Sequence, residues 1–432
     1  MTKSRPTRRS RNEARFQGFR VSKTASAWAE VGSKQGWSRQ EQIDTLAGMR
    51  PRLALCGTKG IVARALIMPL FMAALAHGQE TASFKSSEVH PDGSITFRYK
   101  DPAAGKVLLN LEGTAKPLAM EKDSGGVWSV VTPPLPPEIY GYAFEVDGRP
   151  QLDPKNPAVK LNLVFPGNLV TVPGSVPQLW EAREVPHGVV HHHFYTSKVV
   201  NGLVDRQSDY YVYTPPSYDP IRAEPYPVLY LLHGWSDTAA GWTAVGQANF
   251  IFDNLIAEGK VKPMLVVMPL GYGDMKFVNS GHTVWDDDAA IEHNVTLFSQ
   301  ALLTEVLPQV ESDYHASKNR NDRAIAGLSM GGLESLTIGL FHPELFAWVG
   351  GFSSAAKPLE NGERLAALNG KTANLRLLWI ACGTEDHLIT PNRKLIAWLK
   401  SKDVPVTAVE TPGMHTWMVW RDNLAHFAPL LF

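Results

Sequence analysis

Residues 323–341 read RAIAGLSMGGLESLTIGLF, and they decide the fold. A short apolar strand, Arg323–Ala326, runs into Gly327-Leu328-Ser329-Met330-Gly331. A helical stretch from Leu333 to Phe341 follows and stops ahead of Pro343. Strand, Gly-x-Ser-x-Gly and helix in that order describe a strained turn that lifts a serine hydroxyl above a sheet. The flanking glycines let strand and helix approach without a Cβ clash, and the first helical N–H groups point at a developing oxyanion. The pentapeptide alone also occurs by chance in loops. Its strand–turn–helix setting is what makes Ser329 the candidate nucleophile.

A serine hydroxyl near its ordinary pKa needs a base, and the base needs an orienting acid. The chain order for this kind of turn is serine, acid, histidine, with both partners in loops after later strands. Asp386 follows the apolar strand Leu377–Cys382, and His415 follows the strand expected over Val404–Val409. Glu385 and His387 flank the acid but point elsewhere on an extended chain, and His426 lies within an apparent helix. The triad expected is therefore Ser329, Asp386 and His415. The amides of Met330 and Trp235 are the expected oxyanion donors, because His233-Gly234-Trp235 comes directly after the strand Val228–Leu232. His233 itself reads as a loop brace. Trp242, Trp285 and Trp417, with Trp235, fall in segments near these residues and are the expected pocket lining.

Outward from this centre, apolar strands alternate with helical stretches. Val228–Leu232, Met264–Met268, Arg323–Ala326, Leu377–Cys382 and Val404–Val409 are strands. A helix ends at Gly259, and another carries Leu302, Leu303 and Val306 between Phe298 and Tyr314. Alternation of this kind predicts a mostly parallel sheet wrapped by helices over residues 186–432. Residues 85–175 have a different texture. Ile95, Phe97 and Tyr99, then Tyr140, Tyr142, Phe144 and Val146, alternate with other residues between Gly- and Asp-containing turns, which predicts a small β-sandwich. Trp128 and Tyr140 are either its core or a stacking surface for sugar rings, with core the favoured reading. Proline-spaced residues 176–185 read as the linker.

The zero net charge of the 432 residues hides two opposite segments. Residues 1–48 are Arg-rich, and from Gln79 onward the net charge is −10, which argues against a nucleic-acid partner. Met49–Gly78 carries four basic residues, a twelve-residue apolar stretch from Ala65 to Ala76 and small residues before Gln79. That layout is a signal peptide, with Met49 as the expected true start and export as the expected fate. No apolar run is long enough for a membrane span. Two cysteines exclude a disulfide scaffold, and Cys382 reads as packing. His191-His192-His193 cannot converge on one ion from adjacent strand positions. Asp286-Asp287-Asp288 reads as a helix N-terminus, and no metal or cofactor is expected.

With these residues in view, residues 186–432 resemble the feruloyl-esterase and enterochelin-esterase branch of the α/β-hydrolases, a serine esterase family. The resemblance rests on Val212-Tyr213-Thr214-Pro215-Pro216, Leu229-Tyr230-Leu231-Leu232-His233-Gly234, Ala326-Gly327-Leu328-Ser329-Met330-Gly331-Gly332 and Gly383-Thr384-x-Asp386. Tyr140 to Asn156 is similar to the early-set immunoglobulin-like module that precedes some esterases. The resemblance implies an α/β-hydrolase fold and a small-molecule or polysaccharide-linked ester substrate, with feruloyl or acetyl esters of plant cell walls in front. A siderophore trilactone, acyl transfer to a sugar, and a catalytically silent glycan-binding protein remain open beside it. Residues 271–292 lack a counterpart in the family pattern and read as a pocket-lining loop.

Overall fold

The computed structural model describes residues 84–359 and 365–432. The two segments read as upstream extension and leader, 1–48 and 49–78, lie outside the described residues.

Residues 87–172 form two antiparallel sheets. One orders Ser87–Val89, Ile95–Lys100, Val127–Val131 and Glu121–Lys122; the other orders Leu118–Ala119, Val107–Leu111, Glu138–Val146, Gly167–Val172 and Val159–Lys160, with Arg149–Gln151 paired off the Glu138–Val146 strand. Period-2 alternation puts Ile95 and Phe97 of the first sheet against Leu109, Tyr142 and Phe144 of the second, in one buried cluster. Trp128 and Tyr140 are buried in that cluster, with Lys122 Nζ 5.3 Å from the centre of the Trp128 ring.

The catalytic module is an eight-stranded sheet: β1 Val189–Thr196, β2 Gln207–Thr214, β3 Val228–Leu232, β4 Leu265–Pro269, β5 Arg323–Leu328, β6 Trp348–Phe352, β7 Leu377–Gly383 and β8 Thr407–Thr411. The spatial order is β1-β2-β4-β3-β5-β6-β7-β8. The β1–β2 and β2–β4 pairs are antiparallel and the rest are parallel. Both faces are covered: Val228, Tyr230 and Leu232 of β3 face one core, while Leu229 and Leu231 face the other. The covering helices are α1 Ala248–Ala257, α2 Asp288–Asp313, α3 Met330–Phe341, α4 Ile389–Ser401 and α5 Trp417–Phe427, α2 holding a π-helical stretch at Leu302–Val306. No described helix is long and apolar enough to cross a membrane.

Helix α2 begins at Asp288, within the Asp286-Asp287-Asp288 run read as a helix N-terminus; the Asp287 carboxylate accepts from the Ala289 and Ala290 amides and caps it. Two expectations shift. The last strand runs Thr407–Thr411 and not Val404–Val409; Pro405 has no N–H for a ladder, and Val404 closes the end of α4 through its amide to Leu399 O. The linker is no free tether: Trp180 is buried against the catalytic core, and Asn254 Nδ2 donates to the carbonyls of Leu179 and Glu181 at 2.8 Å each. Strand β6 escaped sequence reading, since Gly350-Gly351 hide its apolar pattern. Those glycines are small for packing reasons, a Cβ on Gly350 meeting the Phe427 ring at 2.8 Å.

A close backbone approach lies under Ser329. A Cβ on Gly331 would stand 2.5 Å from His233 O and 2.6 Å from Leu232 O, both backbone atoms that cannot swing aside. Gly331→Ala is expected to destabilise the protein by about 1–3 kcal/mol, as overpacking does, read as a lowered urea midpoint at unchanged slope.

Candidate active site

Strand β5 delivers Ser329 with φ 53° and ψ −110°, a left-handed conformation that is strained for a residue with a side chain. Neighbours hold it there: Ser329 N–H donates to Phe352 O of β6 at 2.9 Å, and Gly331 N–H donates to His233 O at 3.1 Å. Ser329 Oγ lies 3.0 Å from His415 Nε2, and His415 Nδ1 lies 2.8 Å from Asp386 Oδ2. Asp386 comes just after β7 and His415 just after β8, so all three stand at the C-terminal ends of parallel strands. Burial raises the Asp386 carboxyl, but the His415 hydrogen bond and charge, with the Leu388 N–H donated to Oδ1 at 2.8 Å, outweigh it and leave the pKa below the ordinary value. A charged Asp386 requires N–H on His415 Nδ1, which frees Nε2 to accept from the serine hydroxyl. That is the proton arrangement nucleophilic attack needs.

Beside the elbow, no acceptor among the described residues is paired with the amides of Met330 or Trp235. A Cβ on Gly234 would lie 3.4 Å from Ser329 Cβ, so the end of β3 abuts Ser329. His233 is buried with its pKa pushed down to about 4 by desolvation. Its Nδ1 bonds Gly234 O and its Nε2 accepts from Gly271 N–H, both at 2.8 Å, so the ring is a neutral brace between two loops. Of the neighbours of Asp386, Glu385 is exposed, while His387 turns its ring to 4.8 Å from His415. His426 bonds within its own helix, to Asp422 O.

A cavity of about 510 Å³ opens at Ser329. Trp235, Trp285 and Trp417 line it, as do His282 and Asp286 from the 271–292 loop. Trp242 does not. It is 0% exposed, donates Nε1–H to Leu232 O at 2.9 Å and packs edge-on against Trp417 at 5.2 Å. The expectation that Trp242 binds substrate is therefore corrected: Trp242 supports the ring that lines the pocket. Sequence reasoning missed Trp420, three residues on from Trp417 along α5 and so on the same helical face, a spacing that was available as a signal. It also missed Glu112, Lys160, Asn162 and Phe165, which reach the cavity from the sandwich. No local motif marks them, because only docking of the two modules brings them there.

The histidine run is spoken for: His192 bonds Asp209, His193 bonds Tyr314, and His191 lies on Thr214. Among the described residues, Asp386, His387 and His415 form the one group with atoms close enough to share a metal ion. Two of those three are already bonded to each other within the serine–histidine–aspartate chain.

A family model described as "Putative esterase" matches residues 203–430, more than half of the chain. The chain belongs to this esterase family. The fold is that of the α/β-hydrolases. An endo-1,4-beta-xylanase/feruloyl esterase of Xylanibacter ruminicola is 28% identical over 352 residues, 80% of this chain and 45% of that relative. This chain thus spans under half of that relative's length. An acetyl esterase of Caldicellulosiruptor saccharolyticus is 24% identical over 48% of this chain and 83% of its own. Among solved structures, an enterochelin esterase of Shigella flexneri matches with a TM-score of 0.59 at 19% identity, over 79% of this chain and 94% of that one. A ferulic acid esterase from Anaeromyces mucronatus matches with a TM-score of 0.51 at 23% identity, over 59% and 96%. These two speak for the fold, and the 79% share is too large to come from residues 203–430 alone.

In this esterase the sandwich is tied to the loop that carries His415. Helix α5 begins with Thr416 at its N-cap, whose side chain makes no cap bond. The first amide of the helix, Trp417 N–H, donates instead to Glu112 Oε1 at 2.8 Å, while Glu112 Oε2 accepts from Gly141 N–H at 3.0 Å. A carboxylate at a helix N-terminus is favourable for both the open amides and the dipole. Four residues further along α5, Arg421 is 1% exposed, bonds Ile139 O at 2.7 Å and Val245 O at 2.8 Å, and pairs with Glu138. Apolar contacts sit beside these bonds: Ile139 of the sandwich packs in the core of the eight-stranded module, and Met418 of α5 packs against the sandwich core.

Two predictions come from this geometry. Glu112→Ala should lower kcat by about ten- to a hundredfold by letting His415 drift, with Glu112→Gln, which keeps one acceptor, in between; steady-state kinetics of the three proteins decide it. Asp237 sits in the cavity wall with Oδ1 accepting from Asn162 Nδ2 at 2.8 Å, and burial pushes its pKa up from 3.8 to about 7. Since the folded pKa is raised, the stability it confers is present at acid pH and is lost as pH rises from 3.8 to about 7. Asp237→Asn should flatten that part of the dependence of Tm on pH.

Proposed function

We propose that this esterase cleaves esters of hydroxycinnamic (feruloyl-type) acids by an acyl-enzyme mechanism. Ser329 Oγ attacks the ester carbonyl carbon while its proton passes to His415 Nε2, and Asp386 holds the resulting imidazolium at Nδ1. The amides of Met330 and Trp235 receive the oxyanion. Collapse expels the alcohol with the proton from His415, and water repeats the sequence to free the acid. The observation that carries the acyl preference is the cavity of about 510 Å³ walled by Trp235, Trp285, Trp417, Trp420 and Phe165 at Ser329. Flat rings of that number suit an aromatic acyl group and leave an acetyl group loosely held. The relative carrying feruloyl esterase in its name supports the same reading. Acetyl esters of cell-wall polysaccharides rank second within it, on the acetyl esterase relative.

The proposal includes the organisation: residues 85–175 as an early-set immunoglobulin-like module, 176–185 as its connector and 186–432 as the catalytic module, exported through the leader composition of Met49–Gly78. A second reading, hydrolysis of a catecholate trilactone, draws on the fold likeness that spans both modules. Turnover of methyl ferulate, p-nitrophenyl acetate, acetylated xylan and a catecholate trilactone separates these readings. Ser329→Ala is expected to lower kcat by about 10⁴–10⁶-fold on whichever is cleaved. Equal rates for wild type and Ser329→Ala would sink the mechanism and leave a glycan-binding role in its place.

A further inference from the structure

The turn that carries the Trp235 amide is held at several points. Gly234 O accepts from Asp237 N–H at 3.2 Å and from His233 Nδ1–H at 2.8 Å. A peptide unit is planar and trans, so the Trp235 N–H points away from the Gly234 oxygen in the same plane. Whatever fixes Gly234 O therefore also aims the Trp235 amide. Within the turn Ser236 has φ 73°, a left-handed conformation that such a turn position ordinarily gives to glycine. A residue with a side chain keeps it only where neighbours hold the turn in place.

Two of the holding bonds come from the sandwich. Leu163 N–H donates to Ser236 O at 2.7 Å, and Asn162 Nδ2 donates to Asp237 Oδ1 at 2.8 Å. Asp237 is buried, so losing that donor would leave a polar group unpaired away from water. The other end of the Asn162 side chain is committed as well. Its Oδ1 accepts from Val164 N–H at 3.0 Å and from Phe165 N–H at 2.7 Å, an Asx turn that stiffens the 162–165 loop. One side-chain amide thus grips its own loop with the oxygen and the 234–237 turn with the nitrogen. The Phe165 ring then meets the Trp235 ring edge-on at 6.2 Å. None of these bonds involves Asp386 or His415.

We propose that Asn162 is a positioning residue for the oxyanion hole: by holding Asp237 it fixes the 234–237 turn and so aims the Trp235 amide at the ester oxygen as negative charge develops there. The sandwich then takes part in the chemical step, through a route separate from the Glu112 contact that steadies His415. The inference rests on the acyl-enzyme reading with Trp235 as a donor, and on no particular acyl group or alcohol. A donor of this kind bonds the oxyanion more strongly than the ground-state carbonyl, so a misaimed amide lowers kcat and leaves KM in place.

The test takes whichever of the four esters wild type turns over fastest. Asn162→Ala, Asn162→Ser and the exchange Asn162→Asp/Asp237→Asn are compared with it, thermal melts confirming that each is folded. A serine hydroxyl keeps an acceptor for the loop amides but is too short to reach Asp237, whereas the exchange rebuilds the bond with donor and acceptor reversed. Asn162→Ala and Asn162→Ser should each lower kcat by about five- to thirtyfold at unchanged KM, part of the about 10²–10³-fold cost of removing an oxyanion donor outright. The exchange should recover to within about threefold of wild type. A trifluoromethyl ketone that adds to Ser329 as a tetrahedral adduct should lose affinity in step with kcat/KM, while the carboxylic acid product keeps its affinity. Full activity in Asn162→Ser would reduce the residue to a loop stiffener and overturn the inference. So would a rise in KM in place of the fall in kcat, or an exchange no better than Asn162→Ala. A wild type that cleaves none of the esters removes the acyl-enzyme reading and this inference together; an active wild type matched by both single variants removes the inference alone.

Discussion

The hydrogen bond from Gly331 N–H to His233 O, at 3.1 Å, joins the start of helix α3 to the end of strand β3, and most of the site depends on it. It exists only because position 331 has no Cβ, and Gly327 is under the same constraint, a Cβ there meeting Gly331 O at 2.4 Å. Helix and strand in such contact leave the residue between them little choice of conformation, so Ser329 takes φ 53°. The strain is held by packing on every side of the elbow, and it keeps the hydroxyl clear of the sheet where a base can reach it. The same contact brings the His233-Gly234-Trp235 turn against Ser329, so the serine and the proposed oxyanion donors are set by a single approach.

The two modules meet at this site and share it. Arg421 and Glu112 form the seam, one a buried guanidinium satisfied by carbonyls and a carboxylate, the other a carboxylate satisfied by two amides. Leu163 N–H on Ser236 O and Asn162 on Asp237 extend it to the turn beside the nucleophile. A buried charge left without these partners would be costly, so the docking geometry is restricted to arrangements that satisfy them all. That restriction is what allows a sandwich residue to serve as wall of a pocket in the other module.

The alternation of strands and helices in the second module, the elbow, and the acid and histidine after later strands were readable because each is a local pattern at a set spacing. The Asp286-Asp287-Asp288 run marked the start of α2 where the structure has it, whereas the last strand boundary failed because Pro405 delayed β8. Strand β6 was invisible because Gly350 and Gly351 are chosen for the space left by Phe427, far along the chain, and by Leu336 of helix α3. The tryptophans show the limit most plainly. Trp242 and Trp417 read alike in sequence, pack edge to edge at 5.2 Å and share one buried cluster, yet only Trp417 also borders the cavity.

By itself the sequence determined a strained serine between strand and helix, an acid and a histidine in the right order behind it, and an all-β segment ahead of them. These follow from backbone sterics and residue periodicity, which act over a few positions. Only the tertiary structure decided that Ser329, His415 and Asp386 stand in one hydrogen-bonded chain, which tryptophans reach the cavity, and that Glu112, Lys160 and Phe165 belong to the same site. Those outcomes depend on how two separately patterned surfaces satisfy their buried polar groups when they meet, and no spacing along the chain encodes that.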